Sequence, residues 1–215
     1  MSKLEIITKC DIKRDELVHQ GDILTNVEYI EYADIVDGNI EISKIRFPKV
    51  IVLTQECDSV QDYNNRKDCY SKMQEDKEVK TNQFLLSTIV APLYNLNDIV
   101  LGEHLSNINI IKDGNITDSV LKYERINSDN KRKLMSNQID RYHYLKIEIN
   151  GKYVEYVIDF KHYFTVNTER IIKHKQKHNF FVSILPVFRE SINQRFSNFL
   201  SRIGLPETEI EKCEE

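Results

Sequence analysis

The chain has 215 residues, a formal net charge of −4 and a sequence pI near 5.9, with 30% charged residues of mixed sign. That length can bury a core as one domain, and the acidic balance excludes a surface covered in positive charge to grip nucleic acid, leaving only a local basic patch. Four scattered cysteines (Cys10, Cys57, Cys69, Cys213) form no CxxC and read as reduced thiols. No apolar run approaches the roughly 20 residues needed to span a bilayer, and Met-Ser-Lys-Leu-Glu carries no signal-peptide core, so a cytoplasmic protein without membrane association is expected.

In chain order, residues 4–20 show no clean period beyond a short helical turn at 13–17. Residues 23–32 are rich in β-formers and predict a strand. Asp37-Gly38 turns the chain, and 39–45 return as a hairpin arm. A separate buried strand is predicted at Val50-Ile51-Val52-Leu53, entered through Pro48 and leaving into Thr54-Gln55-Glu56-Cys57-Asp58. Residues 59–82 are almost wholly polar and read as an insertion with a short exposed helix over 72–80. An apolar strand returns at 84–93. Asn95 to Asp98 then supply a cap for a short helix, Asp113-Gly114-Asn115 a turn, and 117–135 a partly helical stretch. Asn150-Gly151 marks the hairpin of 142–160, and 180–185 is a further strand. The last element is a helix over 186–204, with an apolar face from Val187 to Ile203, Pro186 in its first turn and Gly204 at its end. Arg189, Arg195 and Arg202 are expected on its wetter side.

Three pieces carry a resemblance: Gly21-Asp22-Ile23 before a strand, Arg46-Phe47-Pro48 before the apolar run at 50–53, and Ile89-Val90-Ala91-Pro92-Leu93. In order and spacing they resemble the MazF/PemK family of toxin endoribonucleases over roughly residues 20–95. The resemblance implies an SH3-like barrel and metal-independent RNA cleavage, with an arginine that stabilises the phosphorane charge and a group that moves the 2′-hydroxyl proton. The family's arginine falls on Arg46, with Phe47 inserted before Pro48. Its Thr or Ser falls on Tyr94, and its Asn-containing loop on Cys57-Asp58.

The residues themselves allow other chemistry. Cys57 beside Asp58 makes a nucleophile if His143, His162 or Arg46 supplies a base or a positive field; the plainer reading is a buried strand-end cysteine with Asp58 capping a turn. Asp58, Asp159, His143 and His162 could gather a metal, since Asp159 and His162 lie three apart and Arg141 and His143 share a strand face. No His-x3-His or paired-cysteine spacing accompanies them, and the plainer reading is solvated or hydrogen-bonded histidines. His174 and His178 lie in a lysine-rich run that reads as an exposed basic loop. That run and Lys131-Arg132-Lys133 could touch phosphate or simply be solvated. No GxGxxG, P-loop, GxSxG or HExxH is present.

The expectation is one domain over residues 1–215, mainly β (α+β). Its core is an SH3-like MazF/PemK-type barrel of residues 20–95 plus 140–185, with a polar insertion at 59–82, an extra hairpin and a C-terminal helix at 186–204. The expected function is a bacterial toxin- or phage-defence-related protein acting on or binding RNA or DNA, as a metal-independent endoribonuclease without a cofactor. Arg46, Cys57 and Asp58 are the candidate catalytic residues; Lys131, Arg132, Lys133, Arg141 and His143 are the candidates for nucleic-acid contact. The alternative is a non-catalytic protein–protein interaction module holding an antitoxin or defence-system component. A third reading is a Cys57-dependent hydrolase or a metal enzyme. The oligomeric state is left open.

Overall fold

The computed structural model describes residues 7–12, 15–74, 84–106, 108–112, 115–118 and 123–202. In chain order its strands are β1 (Cys10–Asp11), β2 (Asp22–Val36), β3 (Asn39–Val52), β4 (Ser87–Asn95), β5 (Asn109–Lys112), β6 (Asn115–Asp118), β7 (Tyr142–Ile149), β8 (Lys152–Asp159), β9 (Phe164–Asn167) and β10 (Phe180–Ile184). The helices are α1 (Glu56–Gln74), α2 (Leu96–Leu101), α3 (Ser128–Met135), α4 (Thr168–His174) and α5 (Pro186–Leu200). The chain is mainly β, built on an open antiparallel sheet with strand order β1-β10-β2-β3-β4-β8-β7.

Both predicted hairpins form where the turn chemistry demands them. Asp37 and Gly38 take φ of 50° and 79°, and Asn150 and Gly151 take 51° and 73°, the paired positive angles of a two-residue strand reversal. The first hairpin is longer than expected, because β3 runs unbroken through Pro48 instead of splitting into two strands. Pro48 lies opposite Asn26, whose φ is 55°, and the β2–β3 ladder skips that pair, so the missing N–H of proline costs no ladder bond. The skip also resets the alternation: Ile45 and Phe47 on one side of it and Val50 and Val52 on the other all serve the same core cluster.

Side chains from the two faces fill separate clusters. Ile23, Ile51, Leu93, Leu145, Ile158 and Phe160 meet Ile192 and Phe196 of α5 on one face. Leu24, Val50, Val90 and Tyr94 meet Ile99 of α2, Leu134 of α3 and Ile171 of α4 on the other. The two ends of the strand path are drawn together at Thr8, which bridges Ile147 and donates its N–H to the Lys146 carbonyl at 2.8 Å, while neighbouring Cys10 pairs with Ile184.

Residues 59–74, expected as a polar insertion, are instead the body of α1; residues 75–83 lie outside the described residues. Periodicity misses this helix because polar groups hold it. Asp62, 3% exposed, accepts from Leu85 N–H at 2.7 Å and from Arg66 Nε at 2.8 Å, and Arg66 continues to Glu169 at 3.0 Å. The expected turn at 113–114 and the opening helical turn at 13–14 also lie outside the described residues, although Lys112 and Asn115 pair across the former.

The Gly21-Asp22 motif proves to be a polar anchor. Gly21, at φ 80°, passes so close to Arg189 that an added Cβ would stand 3.0 Å from its Cγ. Asp22, fully buried, accepts from the His19 N–H at 2.9 Å and faces Lys175 Nζ at 2.9 Å. Lys175, 4% exposed, also reaches Asp15 at 3.0 Å and the Leu17 carbonyl. This corrects the basic run 173–178: it is not simply an exposed loop, since its central lysine points inward and His174 contacts the Thr25 carbonyl at 2.7 Å. Alongside, Glu56 accepts from Gln20 N–H at 2.8 Å, His19 at 2.5 Å and Arg189 at 3.1 Å. Arg189 and Arg195 are therefore turned inward, the latter donating to the Ile139 and Tyr142 carbonyls at 2.9 and 2.8 Å.

Removing one member of a buried ion pair strands the other charge, at a cost of about 3–5 kcal/mol. Lys175→Met is expected to destabilise the chain by about that amount in urea unfolding. Lys173→Met, at an exposed position nearby, is expected to change it by less than about 0.5 kcal/mol.

Candidate functional site

Polar groups of several elements converge where β4, β7 and β8 meet. The register sets Tyr142 opposite Asp159 and Tyr94 opposite Val157. After Asp159 one 3-10 turn (Phe160–His162) reverses the chain. Asp159 caps it by accepting from the Lys161 N–H at 3.0 Å, which brings His162 back over the same carboxylate. Asp159 has no exposure to water, and Arg141 compensates its charge with two bonds, Nε to Oδ1 at 2.8 Å and Nη2 to Oδ2 at 2.6 Å. His162 Nδ1 lies 3.1 Å from Oδ2, and the Tyr94 hydroxyl lies 3.5 Å from the same nitrogen.

Aromatic rings wall this cluster. His104 sits between Tyr94 and Tyr123, with ring centroids 4.9 and 5.1 Å away. The Arg141 guanidinium lies over Tyr142 at 4.9 Å and Tyr123 at 5.7 Å. Gly102 holds Tyr123 in place. Its carbonyl accepts the Tyr123 N–H at 2.9 Å, and at φ 75° it leaves no room for a side chain, since a Cβ would fall 2.1 Å from the Tyr123 carbonyl oxygen.

Burial sets the protonation states. It pulls His162 below the ordinary histidine range; Asp159 works against this and loses. His104, 3% exposed with neither ring nitrogen hydrogen-bonded among the described residues, is pulled to about 4 by burial, against the raising influence of Asp159. Tyr94 is raised by burial and by Asp159, and Tyr142 is raised to about 12 by burial. Near neutral pH His104 and His162 are therefore neutral and Tyr94 and Tyr142 protonated around the Arg141–Asp159 pair. With the Nδ1 proton directed at Asp159, Nε2 of His162 is the basic nitrogen of a carboxylate–imidazole pair, and the ring keeps 25% of its side-chain surface in water.

The other expected site residues are dispersed. Arg46 joins Lys44 and Arg170 around Glu28, at 2.9, 3.5 and 3.1 Å. Its neighbour Phe47 lies in the same core cluster as Tyr94, so by strand alternation Arg46 leaves the opposite face of the sheet. Cys57 is exposed in the first turn of α1, where its thiol meets Gln55 and Asp58 at 3.6 and 3.7 Å; it is not a buried strand-end cysteine. Arg46 and the last residue of β3 are six positions apart, about 20 Å of strand, and the described contacts of Arg46 and Cys57 share no residue. Lys131, Arg132 and Lys133 lie on α3, which is fixed to β7 by Asn137 accepting from the Tyr144 N–H at 2.6 Å; Arg132 pairs with Asp129 at 2.8 Å. His143, 4% exposed, faces the core cluster that contains Phe160 and Ile192, and burial drives its pKa to about 3.

Among the described residues no group of three or more His, Cys, Asp or Glu side chains is placed to hold a metal ion. The Asp159–His162 spacing was visible in the sequence. The parts played by Tyr94, His104, Tyr123 and Tyr142 were not, because their convergence depends on the strand register.

His104 and His143 are neutral in the folded chain and titrate near 6.5 when unfolded, so the unfolded chain binds more protons below that pH. Their contribution to stability is complete above about 6.5 and is lost as pH falls towards about 4 and about 3. His104→Phe is expected to lose less stability than the parent between pH 6.5 and 4.5, measured by denaturant unfolding at each pH.

No helix among the described residues is long and apolar enough to cross a membrane. Comparison of the chain with family models, with curated proteins and with solved structures finds no match.

Proposed function

We propose that the chain acts on RNA by metal-independent phosphodiester cleavage, with the cluster around Asp159 as its site. The observation that carries this reading is the imidazole of His162, kept neutral, held through Nδ1 by a buried carboxylate and partly open to solvent. In the proposed step Nε2 takes the 2′-hydroxyl proton, the 2′-oxygen forms a bond to phosphorus, and the bond to the 5′-oxygen breaks as that oxygen takes a proton from solvent. The Tyr94 hydroxyl, kept protonated, lies 3.5 Å from Nδ1, and Arg141 donates two hydrogen bonds to Asp159. Lys131, Arg132 and Lys133, on a helix packed against β7, are the proposed backbone contacts.

The resemblance to MazF/PemK toxins supports the reaction class, and the drawing together of the sheet ends at Thr8 supports an elaborated barrel of that type. A bacterial toxin- or phage-defence role is part of the same proposal. The net charge of −4 and the internal neutralisation of Arg141 favour a second reading, a non-catalytic module that binds a protein partner.

Purified chain incubated with single-stranded RNA is expected to give fragments with and without chelator. His162→Ala should lower the rate at least ~100-fold, the loss typical of a missing general base. Because the base works deprotonated, kcat/KM should rise with pH through the depressed pKa of His162 and then level. Retained cleavage in Arg46→Ala supports this site, whereas loss there with retention in His162→Ala moves the chemistry to Arg46. Absence of fragments under all conditions favours the binding module.

A further inference from the structure

The hairpin of β2 and β3 extends past the core as an arm, and every residue from 30 to 40 is exposed. Residues paired across an antiparallel ladder share a face, and alternate residues change face. Ile35 pairs with Ile40, Ala33 with Ile42, and Ile30 with Lys44, the Glu31 bulge restoring the alternation. One face of the arm is therefore almost purely apolar, with Ile35 at 71% and Ile40 at 72% exposure. The neighbouring hairpin continues it, since Lys44 pairs with Ile111 and Ile111 with Ile116, itself 58% exposed. The opposite face carries Tyr32, Asp34 and Glu41, and Glu41 pairs there with Lys112 at 3.6 Å. A sheet normally leaves its polar face in water; this arm leaves both in water, the apolar one included.

We propose that this apolar face is the self-association surface of the protein, covered by the same face of a second copy lying antiparallel to it. Two features select that occupant. The face offers no carboxylate between Ile30 and Ile42, so it can meet itself without opposing like charges, as a two-fold contact requires. The charges at its two ends also differ in sign. At the base, Lys44, Arg46 and Arg170 all pair with Glu28, three cations around one carboxylate among the described contacts. At the tip, about 25 Å away along the strands, Asp37 is exposed in the turn. Antiparallel stacking sets each acidic tip over the partner's cationic base, whereas parallel stacking opposes like with like. A basic partner protein would be drawn instead to the acidic opposite face.

Sedimentation equilibrium of the full chain tests this. The parent is expected to be a dimer at micromolar concentration. Ile35→Asp with Ile40→Asp, at exposed positions that leave the fold intact by circular dichroism, should weaken it at least ~100-fold, because each copy would bury carboxylates against isoleucine. Asp37→Asn keeps the turn and should weaken the dimer a few-fold, as should 0.5 M salt, by loss or screening of the tip-to-base attraction. Tyr32→Ser, on the opposite face, should leave it unchanged. A parent that is monomeric at ~100 μM, a dimer indifferent to the isoleucine substitutions, or one lost in Tyr32→Ser would overturn the proposal.

Discussion

Asp159 has no contact with water, and an ionised carboxylate cannot stay in such a place uncompensated. The fold answers with Arg141, two bonds deep, from the start of the neighbouring strand, and with the Lys161 N–H and His162 from the turn that follows. One side chain thus ties the end of β8 to the start of β7, shapes the chain reversal and orients an imidazole. The aromatic wall of Tyr94, Tyr123 and Tyr142 follows from it, because rings that exclude water from the carboxylate also keep both histidines beside it neutral.

The same logic of buried charge recurs elsewhere in the molecule. Asp22, Lys175, Asp15, His19, Glu56 and Arg189 join the entry to β2, the start of α1 and the start of α5. His19 is desolvated, which lowers its pKa, yet its bonds to Glu56 and Asp15 outweigh this and raise it. A network of this kind adds little net stability over apolar packing, but each member is costly to strand, so it fixes which segments meet. Apolar area drives the collapse of the two clusters, and these charges decide the connections between them.

The arm obeys a different constraint. Beyond the Glu31 bulge its ladder runs unbroken from Tyr32–Ser43 to Val36–Asn39 and its turn is well matched, so it holds its shape without a core beneath it. Its apolar face has no use within a single chain, and it lies on the side of the sheet that carries Arg46, whereas the Asp159 cluster opens from the other core. Catalysis and association would then occupy separate surfaces and could be altered independently.

Elements specified by neighbouring residues were legible in the sequence. Asp37-Gly38 and Asn150-Gly151 determined two hairpins, because positive φ is a local property of those residues. Asn95 determined the start of α2, and Pro186 with the spacing of Ile192 and Phe196 determined α5. The mainly β class followed from these strands. Elements held by polar contacts were not legible: α1 has no apolar stripe and depends on Asp62 meeting Leu85 and Arg66 meeting Glu169, partners far away in the chain. Likewise Lys175 reads as solvated from its lysine-rich neighbours, and only the fold sets Asp22 beside it. The sequence could place Asp159 and His162 three residues apart. Only the pairing of β7, β8 and β4 could bring Arg141 and Tyr94 to them and send Arg46 to the other face, because strand register is a long-range property that no short stretch encodes.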